Sequence, residues 1–296
     1  MKSFKSIAFI CAVAFFAASC GTTAKQPAAS QSSPVKVVAE HIPSTILDSV
    51  MNANIIVPQS FYDNPEQTYP VLYLLHGLSD DHTTWLEHGK AAQVLAEQLA
   101  AGNCCEMIIV CPQAGCADYH KYHAGYFNVE GWSYEDYFFK ELMPYVEAKY
   151  RIRSEKGSRA IAGLSMGGGG TAAYAQHHPE LFSSAYPMSA WMYNGGLIEK
   201  SGDYLDLTVE SVDANNTVAF VSNADEAKLE ALRSVFWVVE CGDDDFLFWK
   251  NIEFYYAMQT RHVPCELIIR DGVHTWDFWN VALYNTLKVA TEHFDK

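Results

Sequence analysis

Positive charge is scarce in this chain. Twenty Lys and Arg stand against 35 Asp and Glu in 296 residues, a formal net charge of −15 with His neutral. So acidic a surface repels phosphate backbones and anionic lipid faces, which disfavours nucleic acid and direct membrane adsorption and favours neutral substrates. No internal repeat appears, so a solenoid or propeller is excluded. The Cys and His spacings match no zinc pattern, and no cofactor is called for. No lysine follows the glycine-rich stretch at 163–170 in P-loop spacing, which argues against a phosphate cradle there.

What is present begins with an address. Lys2 and Lys5 precede the uncharged apolar run Ile7–Ala18, shorter than the roughly 20 residues a membrane-spanning helix needs and suited to a signal-peptide core. The run ends in Ala18-Ser19-Cys20-Gly21, which resembles the lipobox of bacterial lipoproteins. That resemblance implies removal of residues 1–19, lipid on Cys20, and an exported protein held at the periplasmic or cell surface through this lipid alone. Residues 20–34 are rich in Thr, Ala, Gln, Ser and Pro without apolar periodicity, and read as a tether. Residues 35–296 are one domain's worth of chain. Export permits disulfides. Cys104 or Cys105 is a candidate for a bridge to another loop, while Cys111 and Cys241 end strand-like runs and read as buried thiols. Nothing in the sequence specifies an oligomeric state.

Along 35–296, apolar strand-like runs alternate with helix-like ones. Strands are expected at 35–39, 50–57, 69–75, 107–111, 160–162, 236–239 and 266–269, and helices at 91–101, 134–150, 171–177, 251–261 and 276–294. Continuous apolar strands separated by helices imply a mostly parallel sheet covered on both faces, an α/β fold. The polar stretch 194–232 breaks the rhythm and reads either as a cap inserted over a site or as a surface excursion.

Gly163-Leu164-Ser165-Met166-Gly167 fits G-x-S-x-G between an expected strand and an expected helix. Such a turn projects the serine hydroxyl from the sheet edge, and its glycines let neighbouring chain approach. Ser165 is therefore the candidate nucleophile. A serine hydroxyl needs a base, and this fold's chain order is Ser, then acid, then His. His274, in Asp271-Gly272-Val273-His274-Thr275-Trp276, lies between the last strand and the last helix and is the candidate base. The acid is expected after a strand between them, where Asp243, Asp244 and Asp245 follow Gly242. Two backbone donors must meet the developing oxyanion. Met166 N–H follows the nucleophile, and Leu78 N–H, after the 69–75 strand and His76-Gly77, is the chosen second.

Tyr73-Leu74-Leu75-His76-Gly77-Leu78-Ser79-Asp80-Asp81, Gly163-Leu164-Ser165-Met166-Gly167-Gly168, Cys241-Gly242-Asp243-Asp244-Asp245-Phe246-Leu247 and Gly272-Val273-His274-Thr275-Trp276 together resemble the esterase D-type esterases of the α/β-hydrolase fold, a group with tributyrin-type, feruloyl and acetyl xylan esterases, S-formylglutathione hydrolases and mycolyltransferases. The resemblance runs from about Met51 to Phe294. It implies a Ser165–His274–Asp245 triad, because in the family the acid precedes a Phe-Leu pair. The sequence departs in carrying four glycines after Met166, where an aromatic often interrupts them. The expected activity is serine ester hydrolysis on a small-molecule or oligosaccharide ester, with feruloyl or acetyl groups on plant cell-wall glycans as the leading substrates. Trp132, Trp191 and Trp276 are candidate substrate-binding rings, although core packing explains any one of them equally well. A general short-chain carboxylesterase or an acyltransferase would use the same residues. S-formylglutathione is a cytosolic substrate and fits an exported chain poorly, and a non-catalytic glycan-binding surface protein would be expected to lack a triad member.

Overall fold

The computed structural model describes residues 34–115, 125–203 and 205–295. The expected signal peptide, Cys20 and nearly all of the tether lie outside the described residues, as does Cys116.

Eight strands form the main sheet: β1 (Val35–Ser44), β2 (Ser49–Pro58), β3 (Val71–Leu75), β4 (Ile108–Pro112), β7 (Arg159–Leu164), β8 (Ser184–Met188), β9 (Phe236–Gly242) and β10 (Glu266–Arg270), in the order β1-β2-β4-β3-β7-β8-β9-β10. A short hairpin of β5 (Asn128–Val129) and β6 (Trp132–Ser133) stands apart. The β1/β2 and β2/β4 pairings are antiparallel, and the remaining five are parallel. This is the α/β-hydrolase sheet. The crossovers that parallel pairing requires supply the covering helices: α1 (Ala91–Ala101), α2 (Met166–His177), α3 (Leu205–Ala214), α4 (Thr217–Asn223), α5 (Glu226–Arg233), α6 (Phe248–Thr260) and α7 (Trp276–His293).

The period-2 geometry of a strand sends alternate side chains to opposite faces, and β3 shows it. Val71, Tyr73 and Leu75 join a core with residues of α2 and α6, whereas Leu72 and Leu74 join a second core with residues of α1 and α7. All five are fully buried, so the strand reads as an unbroken apolar run.

The structure departs from the sequence expectation in three instructive places. First, α2 starts at Met166 and not at Thr171, so Gly167 to Gly170 are helical. Glycine weakens a helix, and the pattern placed the start after it; here close packing overrides propensity. Second, the 134–150 helix contains a π-helical turn, Phe138–Leu142, between α-helical segments Tyr134–Tyr137 and Met143–Lys149. Third, the polar 194–232 stretch holds α3, α4 and most of α5, with Val209, Val221, Leu229 and Leu232 buried in the core that α2 and α6 share. Among the described residues Cys104, Cys105, Cys111, Cys241 and Cys265 are free thiols, with no bridge between Cys104 or Cys105 and another described cysteine. Burial pushes the Cys111 and Cys241 thiols up to about 12, as expected of inert core cysteines. Among the described residues no helix is long and apolar enough to cross a membrane.

Candidate active site

Ser165 sits between β7 and α2 with φ 54° and ψ −117°, a left-handed conformation that a residue with a side chain pays roughly 1–3 kcal/mol to hold. Its surroundings enforce it. Ser165 N–H donates to Met188 O at 2.9 Å, and its carbonyl accepts from Gly169 and Trp191 N–H at 3.0 and 2.9 Å. The flanking glycines are needed for close approach. A Cβ on Gly163 would lie 2.5 Å from Gly167 O, and one on Gly167 would lie 2.5 Å from His76 O and 2.6 Å from Leu75 O, all of them backbone atoms. The further glycines have the same cause: a Cβ on Gly169 would meet Trp191 O at 2.3 Å, and one on Gly170 the Tyr126 ring at 2.8 Å.

The loops after β7, β9 and β10 bring three distant side chains together at the carboxyl end of the sheet. His274 Nε2 lies 2.9 Å from Ser165 Oγ, and His274 Nδ1 lies 2.8 Å from Asp245 Oδ2. Asp245 is buried, and its other oxygen accepts from Leu247 N–H at 2.8 Å. An ionised carboxylate only accepts, so Nδ1 carries the imidazole proton and Nε2 is left basic toward the serine. Asp243 and Asp244 are exposed. Asp243 Oδ1 accepts from Gly272 N–H at 3.1 Å, and Asp244 N–H donates to Gly272 O at 3.1 Å, so these two fasten the acid loop to the histidine loop. Asp243, Asp244 and Asp271 are also, among the described residues, the group whose donor atoms lie close enough to share a cation, within 4.8 Å of one another, and all three are exposed.

The loop after β3 passes beside Ser165: a Cβ on Gly77 would lie 3.7 Å from Ser165 Cβ. Gly77–Asp80 is a tight turn, with Asp80 N–H on Gly77 O at 3.3 Å, Ser79 at φ 65°, and Asp80 Oδ2 accepting from Gly77 N–H at 3.2 Å. Burial pushes the Asp80 carboxyl above its ordinary range, against the hydrogen bond from Gly77. His76 locks the loop from below. Ala114 N–H donates to its Nε2 at 2.9 Å, so Nδ1, 2.8 Å from Gly77 O, is the donor on the other side. Among the described residues neither Leu78 N–H nor Met166 N–H donates to a protein acceptor. Met166 is the first residue of α2, where helix geometry leaves the amide unpaired.

The three candidate substrate-binding rings are buried or half-buried. Trp132 and Trp191 are buried in the core that holds α2 and α6, where their faces meet protein, and Trp191 Nε1 has no acceptor. Trp276 is half-buried and packs edge-on against Trp85 and Trp279, with ring centroids at 5.2 and 5.4 Å.

Other side chains pack around His274 and its supports. Trp279 stands perpendicular to the imidazole at 4.7 Å and donates its indole N–H to buried Ser189 Oγ at 3.1 Å. Phe246 lies against the same imidazole at 4.4 Å. Asn251, fully buried on α6, takes the Ala190 N–H at 2.9 Å and donates to Ala190 O and Leu247 O at 3.1 and 2.9 Å. Only the adjacency of Phe246 to Asp245 in the chain could have pointed to it. A depression of about 990 Å³ lies elsewhere, among residues such as Lys156, Ser183, Phe236 and Glu266 that precede or begin β7 to β10. It is at the opposite sheet edge from Ser165, Asp245 and His274.

Residues 44–289 match the family model described as "Putative esterase". A solved structure of a ferulic acid esterase is 44% identical, with a TM-score of 0.84, covering 89% of this chain and 100% of that one. An endo-1,4-beta-xylanase/feruloyl esterase of Xylanibacter ruminicola is 26% identical over 205 residues, 68% of this chain and 28% of that protein. An esterase of Mycobacterium tuberculosis is 35% identical over 133 residues, 45% of this chain and 27% of that protein. The chain thus spans little more than a quarter of the length of these two curated relatives. The family match covers every loop that brings Ser165, Asp245 and His274 together, and on that ground the chain belongs to this esterase family.

Proposed function

We propose that this domain hydrolyses carboxylic esters through Ser165, His274 and Asp245, and that its substrates are feruloyl or acetyl esters of plant cell-wall glycans. The observation that carries the reading is the continuous hydrogen-bonded relay from buried Asp245 through His274 to Ser165 Oγ.

His274 Nε2 takes the Ser165 proton as Oγ attacks the ester carbonyl. The negative charge that develops on the carbonyl oxygen is met by Leu78 and Met166 N–H, the unpaired amides beside the nucleophile. Each such donor contributes about 3–4 kcal/mol to the transition state. Asp245 stabilises the imidazolium without taking its proton. The imidazolium then protonates the departing alkoxide oxygen, and an acyl-Ser165 ester remains. Water loses a proton to the same nitrogen, adds to the acyl carbon, and the acid departs as Ser165 recovers its hydrogen.

The glycan-ester reading rests on the 44% identical ferulic acid esterase and on the xylanase/feruloyl esterase relative. Hydrolysis of feruloylated and acetylated xylo-oligosaccharides, beside short aryl esters, tests it; turnover of aryl esters alone rejects the cell-wall substrate. Labelling by a fluorophosphonate in the wild type and none in Ser165→Ala tests the nucleophile. We further propose that the chain is exported and held at the membrane by lipid on Cys20, which would keep the enzyme where glycan fragments arrive. Cys20→Ala should move the protein from the membrane fraction to the soluble one.

A further inference from the structure

Among the described residues two aromatic rings touch the His274 imidazole, and they differ in kind. Trp279 is buried and tied to Ser189. Phe246 lies at 4.4 Å with a 48° tilt and is 61% exposed. A phenyl ring left that exposed, next to a buried acid and a half-buried base, is not there to fill the core.

The chemistry says what stands beside it. In acylation the proton on His274 Nε2 must pass to the oxygen of the leaving alcohol, which therefore sits within hydrogen-bond reach, about 2.6–3.2 Å, of that nitrogen. The carbons attached to that oxygen are then packed around the imidazole edge. They are on its solvent side, because the alcohol must diffuse away while the acyl group stays on Ser165. Of the two rings in contact with the imidazole, only Phe246 faces solvent.

We propose that Phe246 forms the subsite for the alcohol half of the ester, offering its ring to the face of the sugar from which the acyl group is cut. The inference rests on the ester-hydrolase reading and adds to it the residue that recognises the leaving group. A sugar ring presents a face of C–H bonds that an aromatic ring covers well, whereas a methyl leaving group is too small to reach it.

The test compares one acyl group on two alcohols: methyl ferulate and a feruloylated arabinoxylo-oligosaccharide, with wild type, Phe246→Ala and Phe246→Trp. For Phe246→Ala, kcat/KM on the oligosaccharide ester is expected to fall about tenfold, roughly 1.4 kcal/mol, mainly through KM. Methyl ferulate should change by less than about twofold, and Phe246→Trp should restore the oligosaccharide activity. An equal loss on both esters would mean that Phe246 only steadies His274, and no loss on either would mean that it touches nothing; both overturn the proposal. Wild type that hydrolyses a short aryl ester but neither ferulate would reject the feruloyl substrate and the subsite with it, whereas no turnover of any of the three would overturn the hydrolase reading itself.

Discussion

Replacing Asp245 with Asn keeps the size of the side chain and changes one hydrogen-bond sign, and the structure says where that change falls. The carboxylate accepts twice, from Leu247 N–H at 2.8 Å and from His274 Nδ1 at 2.8 Å. An amide can accept on one side only. With its oxygen toward Leu247, its NH2 faces Nδ1, which must then become an acceptor, so the proton moves to Nε2 and points at Ser165 Oγ. The base is gone. With its oxygen toward His274, its NH2 faces Leu247 N–H, and two donors are left buried without partners, at about 1–3 kcal/mol each. The first arrangement is the cheaper, so the wrong tautomer should dominate. The expected result is a 10³–10⁴-fold fall in kcat, about 4–5.5 kcal/mol, with KM little changed. Fluorophosphonate labelling should slow in proportion, because it draws on the same base. Asp243→Asn and Asp244→Asn, at exposed positions that bond the backbone of Gly272, should each cost under about tenfold. If either of those cost as much as Asp245→Asn, or if Asp245→Asn cost less than tenfold, the assignment of the acid would be refuted.

Other consequences follow from single geometric facts. Ser165 holds φ 54°, so Ser165→Gly should melt higher than Ser165→Ala, by about 1 kcal/mol once roughly 1–3 kcal/mol of relieved strain is set against about 0.4–1 for the extra freedom of the unfolded chain; calorimetry on the two inactive proteins decides it. Gly167→Ala places a Cβ 2.5–2.6 Å from two backbone carbonyl oxygens, and the shift it forces on the serine turn should cost about 100-fold in kcat/KM, read on a short aryl ester. Asp80 has its folded-state pKa raised above 3.8 by burial, so the folded protein holds that proton more tightly than the unfolded chain. Its stability gain is present at low pH and is lost as pH rises through the raised value. Asp80→Asn, whose amide oxygen still accepts from Gly77 N–H, should therefore melt higher than wild type at neutral pH, with the gap closing as pH falls toward 4; a gap that widened on acidification would contradict the burial argument.

The legible parts of this protein are those where the backbone does something few residues permit. Gly163 and Gly167 are visible in the sequence because no side chain fits where they sit, and Ser165 is visible because they bracket it. The unbroken apolar runs of β3 and β4 are visible because both faces of each strand are buried. The same logic explains the misplaced start of α2: four glycines argue against helix locally, and only contacts with Leu75, His76, Tyr126, Ala190 and Trp191, elsewhere in the chain, explain why the helix accepts them. Aromatic type alone does not separate a ring that packs from a ring that binds. Trp132, Trp191, Trp276, Trp279 and Phe246 look alike in sequence, and their exposures run from buried to 61%.

The least legible element turns out to frame the site. β8 reads Ser-Ala-Tyr-Pro-Met, short and weakly strand-like, with a proline that has no amide to give a ladder. Its register with β9 skips from Ala185↔Trp237 to Met188↔Glu240, across Tyr186 and Pro187. Yet its last residue, Met188, takes the Ser165 N–H, the next, Ser189, takes the Trp279 indole that walls the His274 imidazole, and Ala190 is clamped by Asn251, which also holds the loop after Asp245. One strand end thus touches Ser165 and the supports of His274 and Asp245 in three consecutive residues. The contacts that Met188, Ser189 and Ala190 make with Ser165, Trp279 and Asn251 join segments far apart in the chain, so none leaves a local pattern. Chemistry is written in the sequence where it needs a special residue, and the rigidity that aligns that chemistry is written in the pairing of strands.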